Sequence, residues 1–393
     1  MKKKTIRDID VAGKRVVVRV DYNVPIKDGK VTDDARIVAS KPTIDYLLAQ
    51  GCSLVLISHL GEPKAGPEAK YSLEPVAEKA SEILGKPVKF LPDCLGNETD
   101  DVVHNLQPGQ IVLLENLRFH AEETANDDGF AKTLASYGDV YVDDAFAAVH
   151  RAHASMVGIP KHLPAVAGFL VEHEVDTITT ALENPTRPLL AIVGGAKIST
   201  KIEILNNLLP KVNAIFVGGA MANTFLGAEG KNVGKSLQET DQYELANSIV
   251  KQAGEAGVQV FIPTDVVVTD SLEAATNVRA VSVDAIGESD IIVDLGPDSI
   301  AQLQPIFDQK GTVIWNGPVG ITETPEFAKG SRALADAIIA SGATSLIGGG
   351  DTAGFVNDAG LHDGFGFVST GGGASLELMS GKELPGVAAL LDN

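Results

Sequence analysis

Three glycine clusters follow apolar runs in the last quarter of the chain: WNGPVG (315–320), LIGGGDTAG (346–354) and VSTGGGASLE (368–377). Glycine lets successive backbone N–H groups turn toward one point, and a helix opening there adds partial positive charge. That is the chemistry of a phosphate site. Asp351, inside the second cluster, is placed to hold a magnesium ion against the phosphates. A further segment, GGAKISTKIE (194–203), carries Lys197 and Lys201 four residues apart. That spacing predicts one shared face of the helix beginning there, where two ammonium groups repel unless an anion lies between them. The chain contains no GxxxxGKS or GxxxxGKT, and no kinase glycine loop followed by HRD and DFG. The nucleotide–metal complex suggested by the glycines is therefore not held in the Walker or protein-kinase manner.

The first half has a different chemistry. Seven of the eight histidines precede residue 175, and arginines and histidines that follow strands stand in RVDYNVP (19–25), DDARI (33–37), SHLGEP (58–63), ENLRFH (115–120) and AVHRAHAS (148–155). Gathered at one end of a parallel sheet, these arginines and histidines form a cationic pocket, and the planar fork of arginine suits phosphate and carboxylate oxygens. His150 and His153 match no usual zinc pattern, with Arg151 between them and no cysteine or acidic ligand nearby.

Short apolar runs at 15–20, 54–58, 111–114, 140–143, 189–193, 214–217, 258–263, 313–315 and 346–348 read as strands. Helical patterns at 41–50, 73–84, 201–209, 238–256 and 326–340 lie between them. Alternating strands and helices predict βαβ units, and near-continuous Val/Ile/Leu strands predict sheets covered on both faces. Ligands of such sheets sit beyond the carboxyl ends of the strands, where the polar residues above cluster. At 393 residues the chain exceeds one ordinary core, so two domains are expected. The stretch VEHEVDTITTALENPTRP (171–188) reads as one helix joining them, ended at Asn184-Pro185.

Composition excludes several classes. A net charge of −20 argues against general nucleic-acid or anionic-membrane binding, so an anionic substrate requires a local cationic patch. No apolar run approaches a membrane span, and Lys2 to Lys4 are followed by no apolar segment of the kind a secretory signal needs. Cys52 and Cys94 are the only cysteines and read as unpaired structural thiols in a reducing cytoplasm. No GxGxxG follows the first strand, which counts against a dinucleotide oxidoreductase.

The chain resembles the phosphoglycerate kinases over essentially its full length, in RVDYNVP, SHLGEP, ENLRFH, DDAFAAVHRAH, VGGAKISTKI, VGGAMANTF, WNGPVG, GGGDTA and STGGGASLE. The resemblance implies two Rossmann-like α/β domains with parallel sheets facing across a cleft and joined by a hinge helix. Residues 1–170 would bind phosphoglycerate, 171–187 would connect, 188–373 would bind the nucleotide, and 374–393 would return to the first domain. It implies reversible transfer of a phosphoryl group from 1,3-bisphosphoglycerate to Mg-ADP, giving 3-phosphoglycerate and Mg-ATP. Asp21, Asn23, Arg36, His59, Arg118 and Arg151 match substrate-binding positions. Lys201, Asn316, Glu323, Gly349, Gly350, Asp351 and Thr352 match nucleotide positions, with Asp351 the Mg2+ ligand. Arg36, Lys197, Lys201 and Gly372 match residues that meet the transferring group. A cytoplasmic monomer is implied as well. The alternative is a catalytically dead nucleotide-binding protein of the same fold, against which the retained Arg36, Lys197, Lys201 and Asp351 argue. Glu62 stands where the family usually has arginine, and an acid there is expected to point to solvent. Ile292 replaces a frequent glycine near the adenine, and Asp143 and Ala147 replace a frequent Asn and Gly.

Overall fold

The computed structural model describes residues 2–64 and 66–393. The chain divides into two compact units, Met1–Asp176 with Glu383–Asn393, and Thr177–Lys382. The boundary falls within helix Phe169–Glu183.

In the first unit, RVVVRV forms β1 (Arg15–Val20), buried from Val16 onward because both faces of this strand are covered. A short hairpin follows, β2 (Ile26–Lys27) and β3 (Lys30–Val31). Then come β4 (Ser53–Ile57), β5 (Val88–Leu91), β6 (Ile111–Leu114), β7 (Val140–Asp144) and β8 (Ala165–Ala167). The six-stranded sheet has the order β5-β6-β4-β1-β7-β8, and every pairing is parallel. Val18 lies opposite Leu56 on one side and Val142 on the other, so the sheet's centre is aliphatic throughout. Helix Ala35–Ala49 begins before the expected 41–50 segment and takes Pro42 into its interior. The bond that Pro42 removes would have gone to the carbonyl of Val38, an exposed position where water replaces it at low cost.

The second unit holds β9 (Leu189–Val193), β10 (Ala214–Val217) and β11 (Gln259–Phe261). After them come β12 (Asp265–Thr269), β13 (Arg279–Ser282), β14 (Ile291–Leu295), β15 (Thr312–Asn316), β16 (Thr344–Gly348) and β17 (Phe367–Val368). Its parallel sheet runs β11-β10-β9-β15-β16-β17 around a core that includes Trp315, Phe216 and Ile192. A separate antiparallel sheet, β13-β12-β14, has its own small core with Val266 and Val268.

The return of the chain to the first unit starts at Glu383, later than the expected residue 374. Helix Gly373–Met379 stays with the second unit because it packs on helix Ile202–Leu208. Asn207 Nδ2 donates to the Met379 carbonyl at 2.5 Å, and Lys382 pairs with Glu203 at 2.6 Å. Beyond it, the Gly386 N–H bonds Val149 O at 2.8 Å, and the Leu391 N–H bonds Ala165 O at 3.0 Å.

Candidate functional site

Four neighbouring strands of the first sheet deliver polar residues at their carboxyl ends: β6 leads to Arg118, β4 to His59, β1 to Asp21 and Asn23, and β7 to Arg151. Arg36, in the first turn of helix Ala35–Ala49, joins them. Its Nη1 donates to Asn23 O at 2.8 Å and lies 3.1 Å from Asp21 Oδ2. Asp21 is 4% exposed, and neither of its carboxylate oxygens accepts a hydrogen bond. His59 is buried, with Arg19 Nη2 2.9 Å from its Nδ1. A guanidinium can only donate, so Nδ1 is the acceptor and the ring proton sits on Nε2. Burial, then the charges of Arg19, Arg118, Arg151 and Arg36, hold His59 well below the usual histidine range. The histidine is thus a neutral donor in a field of four guanidinium groups.

Glu62 does not simply face solvent as the sequence suggested. Its side chain is 71% exposed, yet one carboxylate oxygen lies 2.8 Å from Arg118 Nη1 and 3.5 Å from Arg151 Nη1. An isolated acid would prefer water; two neighbouring guanidinium groups draw it back.

In the second unit, the loops after β9, β15 and β16 cross backbone against backbone. A Cβ on Gly317 would lie 2.1 Å from Gly194 O, and Gly317 has φ +90°, so only glycine fits this crossing. Around it, a cavity of about 360 Å³ is lined by Lys201, Asn316, Gly349, Gly350, Asp351, Thr352 and Gly372 among others. Lys201 Nζ donates to Asn316 Oδ1 at 2.9 Å, while Asn316 Nδ2 is buried without a partner. Burial lowers the Lys201 pKa, opposed by Asp351. Thr352 Oγ1 accepts from the Gly317 N–H at 2.8 Å and ties two of the glycine loops together.

Two sequence candidates, Lys197 and Glu323, do not line this cavity, although Glu323 shares another with Gly350 and Asp351. Lys197 is exposed and extended, at φ −135° and ψ 131°, before a single 3-10 turn, Ile198–Thr200. The α-helix starts only at Ile202, so Lys197 and Lys201 do not share a helix face. Glu323 lines a neighbouring apolar cavity of about 530 Å³, together with Ala220, Leu237, Leu272, Ile292 and Val319. That cavity meets the first at Gly195, Ala196 and Pro318. An apolar chamber continuous with a cationic, glycine-lined one is the shape of a base-and-sugar pocket leading to a phosphate pocket. Sequence reasoning assigned no role to Ala220, Leu237, Leu272 or Val319. The available signals were VGGAMANTF, whose glycines open the β10 loop onto the apolar chamber, WNGPVG, which contains Val319, and Ile292.

The donor set fits magnesium. Asp351 is exposed at the start of helix Gly350–Asp358 and offers one carboxylate to the cavity of about 360 Å³. Magnesium is usually held by one or two carboxylates plus phosphate oxygens and water, not by a protein cage. Among the described residues, the one trio of His, Cys, Asp or Glu groups close enough to share a cation is Asp93, Cys94 and His120 in the first unit. There His120 Nε2 already pairs with Asp93 Oδ1 at 2.7 Å, and the Cys94 thiol donates to Glu115 O at 2.9 Å. Burial pushes that thiol's pKa well up, so it stays protonated. Cys52 and Cys94 are both free and buried.

Residues 6–382 match the phosphoglycerate kinase family. The chain belongs to that family. It is 50% identical to the phosphoglycerate kinase of Chloroherpeton thalassium over 394 residues, covering 99% of each chain. It is 48% identical to that of Dictyoglomus turgidum over 396 residues, covering all of both. Among solved structures, phosphoglycerate kinase from Coxiella burnetii superposes with a TM-score of 0.90 at 41% identity, covering 98% of each chain. The Pyrococcus horikoshii enzyme gives 0.85 at 31% identity with the same coverage. The phosphoglycerate kinase fold of two parallel-sheet α/β units is therefore shared. Among the described residues, no helix is long and apolar enough to cross a membrane.

Proposed function

We infer that the protein is a phosphoglycerate kinase that moves a phosphoryl group reversibly between the acyl phosphate of 1,3-bisphosphoglycerate and Mg-ADP. The observation that carries this reading is Lys201, a partly buried cation hydrogen-bonded to the neutral Asn316 amide with the Asp351 charge nearby, beside the unpaired Asn316 Nδ2. A cation and a buried donor placed side by side can both be met by one anion, and a nucleotide phosphate supplies it.

In the ATP-forming direction, a terminal ADP oxygen bonds to the acyl phosphorus as the bond to the acyl oxygen breaks, and the carboxylate leaves. A carboxylate is ionised at neutral pH, so no proton moves and no general base is required. Catalysis then consists of positioning and charge stabilisation. Arg36, Lys197, Lys201 and the amides at Gly372 oppose the charge on the transferring group, while Asp21, Asn23, His59, Arg118 and Arg151 orient phosphoglycerate. Asn316, Gly349, Gly350 and Thr352 hold the nucleotide phosphates, and Glu323 holds the sugar. Asp351 would hold magnesium, which when bound neutralises phosphate charge. The ligands for the two substrates come from different units, so turnover includes a step that brings the bound substrates together and excludes water. A cytoplasmic, monomeric enzyme is part of this reading.

The test is turnover of 3-phosphoglycerate and Mg-ATP, coupled through glyceraldehyde-3-phosphate dehydrogenase to loss of NADH. Activity requiring phosphoglycerate, ATP and magnesium together supports the reading. Mg-ATP binding without turnover would replace it with a nucleotide-binding protein.

A further inference from the structure

Glu62 is an acid placed on the arginines that the reading above gives to phosphoglycerate. The placement is built into the loop. Its neighbour Gly61 donates its N–H to Asn23 Oδ1 at 2.9 Å and accepts from Arg118 Nη1 at 2.7 Å. Gly61 has φ +60°, and a Cβ there would lie 2.3 Å from the Tyr71 ring, so the loop cannot readily relax around a larger residue. The backbone beside Glu62 is thus clamped by two members of the candidate site. The side chain itself is 71% exposed and can swing away without unpacking anything.

The guanidinium groups are not saturated by this contact. One Glu62 oxygen reaches both, at 2.8 Å and 3.5 Å, and the buried Arg118 Nε has no partner. A phosphate carries more charge than a carboxylate and has three oxygens with which to meet two planar forks. It can satisfy donors that a single carboxylate oxygen leaves open.

We propose that Glu62 is a built-in anion that occupies Arg118 and Arg151 in the absence of substrate and yields them to the phosphate group of phosphoglycerate, thereby setting the affinity for that substrate. The proposal rests on the phosphoglycerate kinase reading of the site. In the empty site the carboxylate screens two arginines from each other. On binding, the substrate must break the Glu62 pair and accept a nearby negative charge, so its affinity is held below what the same arginines would give alone. For an exposed pair of this kind the effect on the dissociation constant is about two- to fivefold.

The experiment measures 3-phosphoglycerate binding by calorimetry to the wild type and to Glu62→Gln, at low and at high salt. Inorganic phosphate serves as a second probe, and KM for each substrate comes from the coupled assay. The expected result is a two- to fivefold tighter dissociation constant for phosphoglycerate and phosphate in the variant, with KM for Mg-ATP unmoved. The gain should shrink as salt screens the carboxylate. Unchanged or weaker phosphoglycerate binding in Glu62→Gln overturns the proposal; weaker binding would make Glu62 a residue that holds the arginines in place. A salt-independent gain overturns it too, because charge would not be the cause. A wild type that neither binds nor turns over phosphoglycerate refutes the reading of the site itself, a result separate from a flat response in the variant.

Discussion

Replacing Arg36 with alanine separates catalysis from nucleotide binding. Two costs can be worked out from the contacts of Arg36. The first is to stability. The Arg36 guanidinium lies 3.1 Å from the carboxylate of Asp21, which is 4% exposed and accepts no hydrogen bond. Losing the cation strands that charge. A fully buried pair broken this way costs about 3–5 kcal/mol and an exposed pair about 0–1 kcal/mol. The arginine side chain is 36% exposed, so solvent screening places the loss at about 1–2 kcal/mol. The second cost is to the transition state, where loss of one charge-stabilising contact costs about 2–4 kcal/mol, or ~10²–10³-fold in rate. Asp21→Asn combined with Arg36→Ala should recover most of the stability in denaturant unfolding and none of the rate. Mg-ADP affinity should stay within about twofold, since the lysine and glycine loops belong to the other unit. A rate loss below tenfold, or nucleotide affinity falling in step with rate, would refute the placement of Arg36 at the transferring group.

Asp351→Ala should weaken Mg-ADP binding at least tenfold in calorimetry while leaving 3-phosphoglycerate affinity as it was; equal Mg-ADP affinity removes Asp351 as the metal's carboxylate. Gly317→Ala forces a Cβ to 2.1 Å from Gly194 O at φ +90°, so unfolding should show a loss of more than about 2 kcal/mol together with weakened nucleotide binding. Retained nucleotide affinity would mean the loop crossing has slack. Burial raises the Asp144 pKa to about 7, far above its value in an unfolded chain. A carboxyl whose folded pKa is raised stabilises the fold in acid and loses that contribution as pH climbs through the folded value. Asp144→Asn should therefore stabilise the protein relative to wild type at pH 8 but not at pH 4, as read by thermal unfolding. A difference that stays constant with pH would contradict a buried ionisation.

The central strands were readable because burial on both faces demands an unbroken apolar run: 15–20, 111–114, 189–193 and 214–217 match β1, β6, β9 and β10 residue for residue. Of the sheet edges, β11 lay within the expected run at 258–263, but β5, β8 and β17 were missed. β5 buries only its two end residues, and β8 and β17 are two or three residues long, so neither length nor periodicity marks them. The antiparallel β13 has no buried residue at all, and with it β12 and β14 went unread. Residue type marked Lys201 and Asp351, which the structure brings to one cavity, and Arg36 and Arg118, which it brings to Asn23 and Gly61. The site was not legible where function depends on which loops meet. The apolar chamber is built from Leu237, Leu272 and Val319, which in sequence look like any core residues. Lys197 was misplaced because helical spacing was assumed across Ile198–Thr200, where the chain makes only a 3-10 turn. Glu62 was misjudged because a carboxylate was weighed against an absent substrate and not against the arginines already there.

The segment Glu383–Asn393 completes the first unit, bonding through Leu391 to both Ala165 and Lys4. Synthesis is vectorial, and domains generally form as they leave the ribosome. Here the unit that emerges first is finished last, after the whole of Thr177–Lys382 has been made, while the second unit has every residue it needs beforehand. The first unit therefore waits, with the Ala165 carbonyl and the Lys4 N–H unpaired, for a partner encoded after the whole of the second unit. A ribosome stalled before Glu383 would display a finished second unit and an unclosed first one, and limited proteolysis of arrested chains would cut the first unit alone.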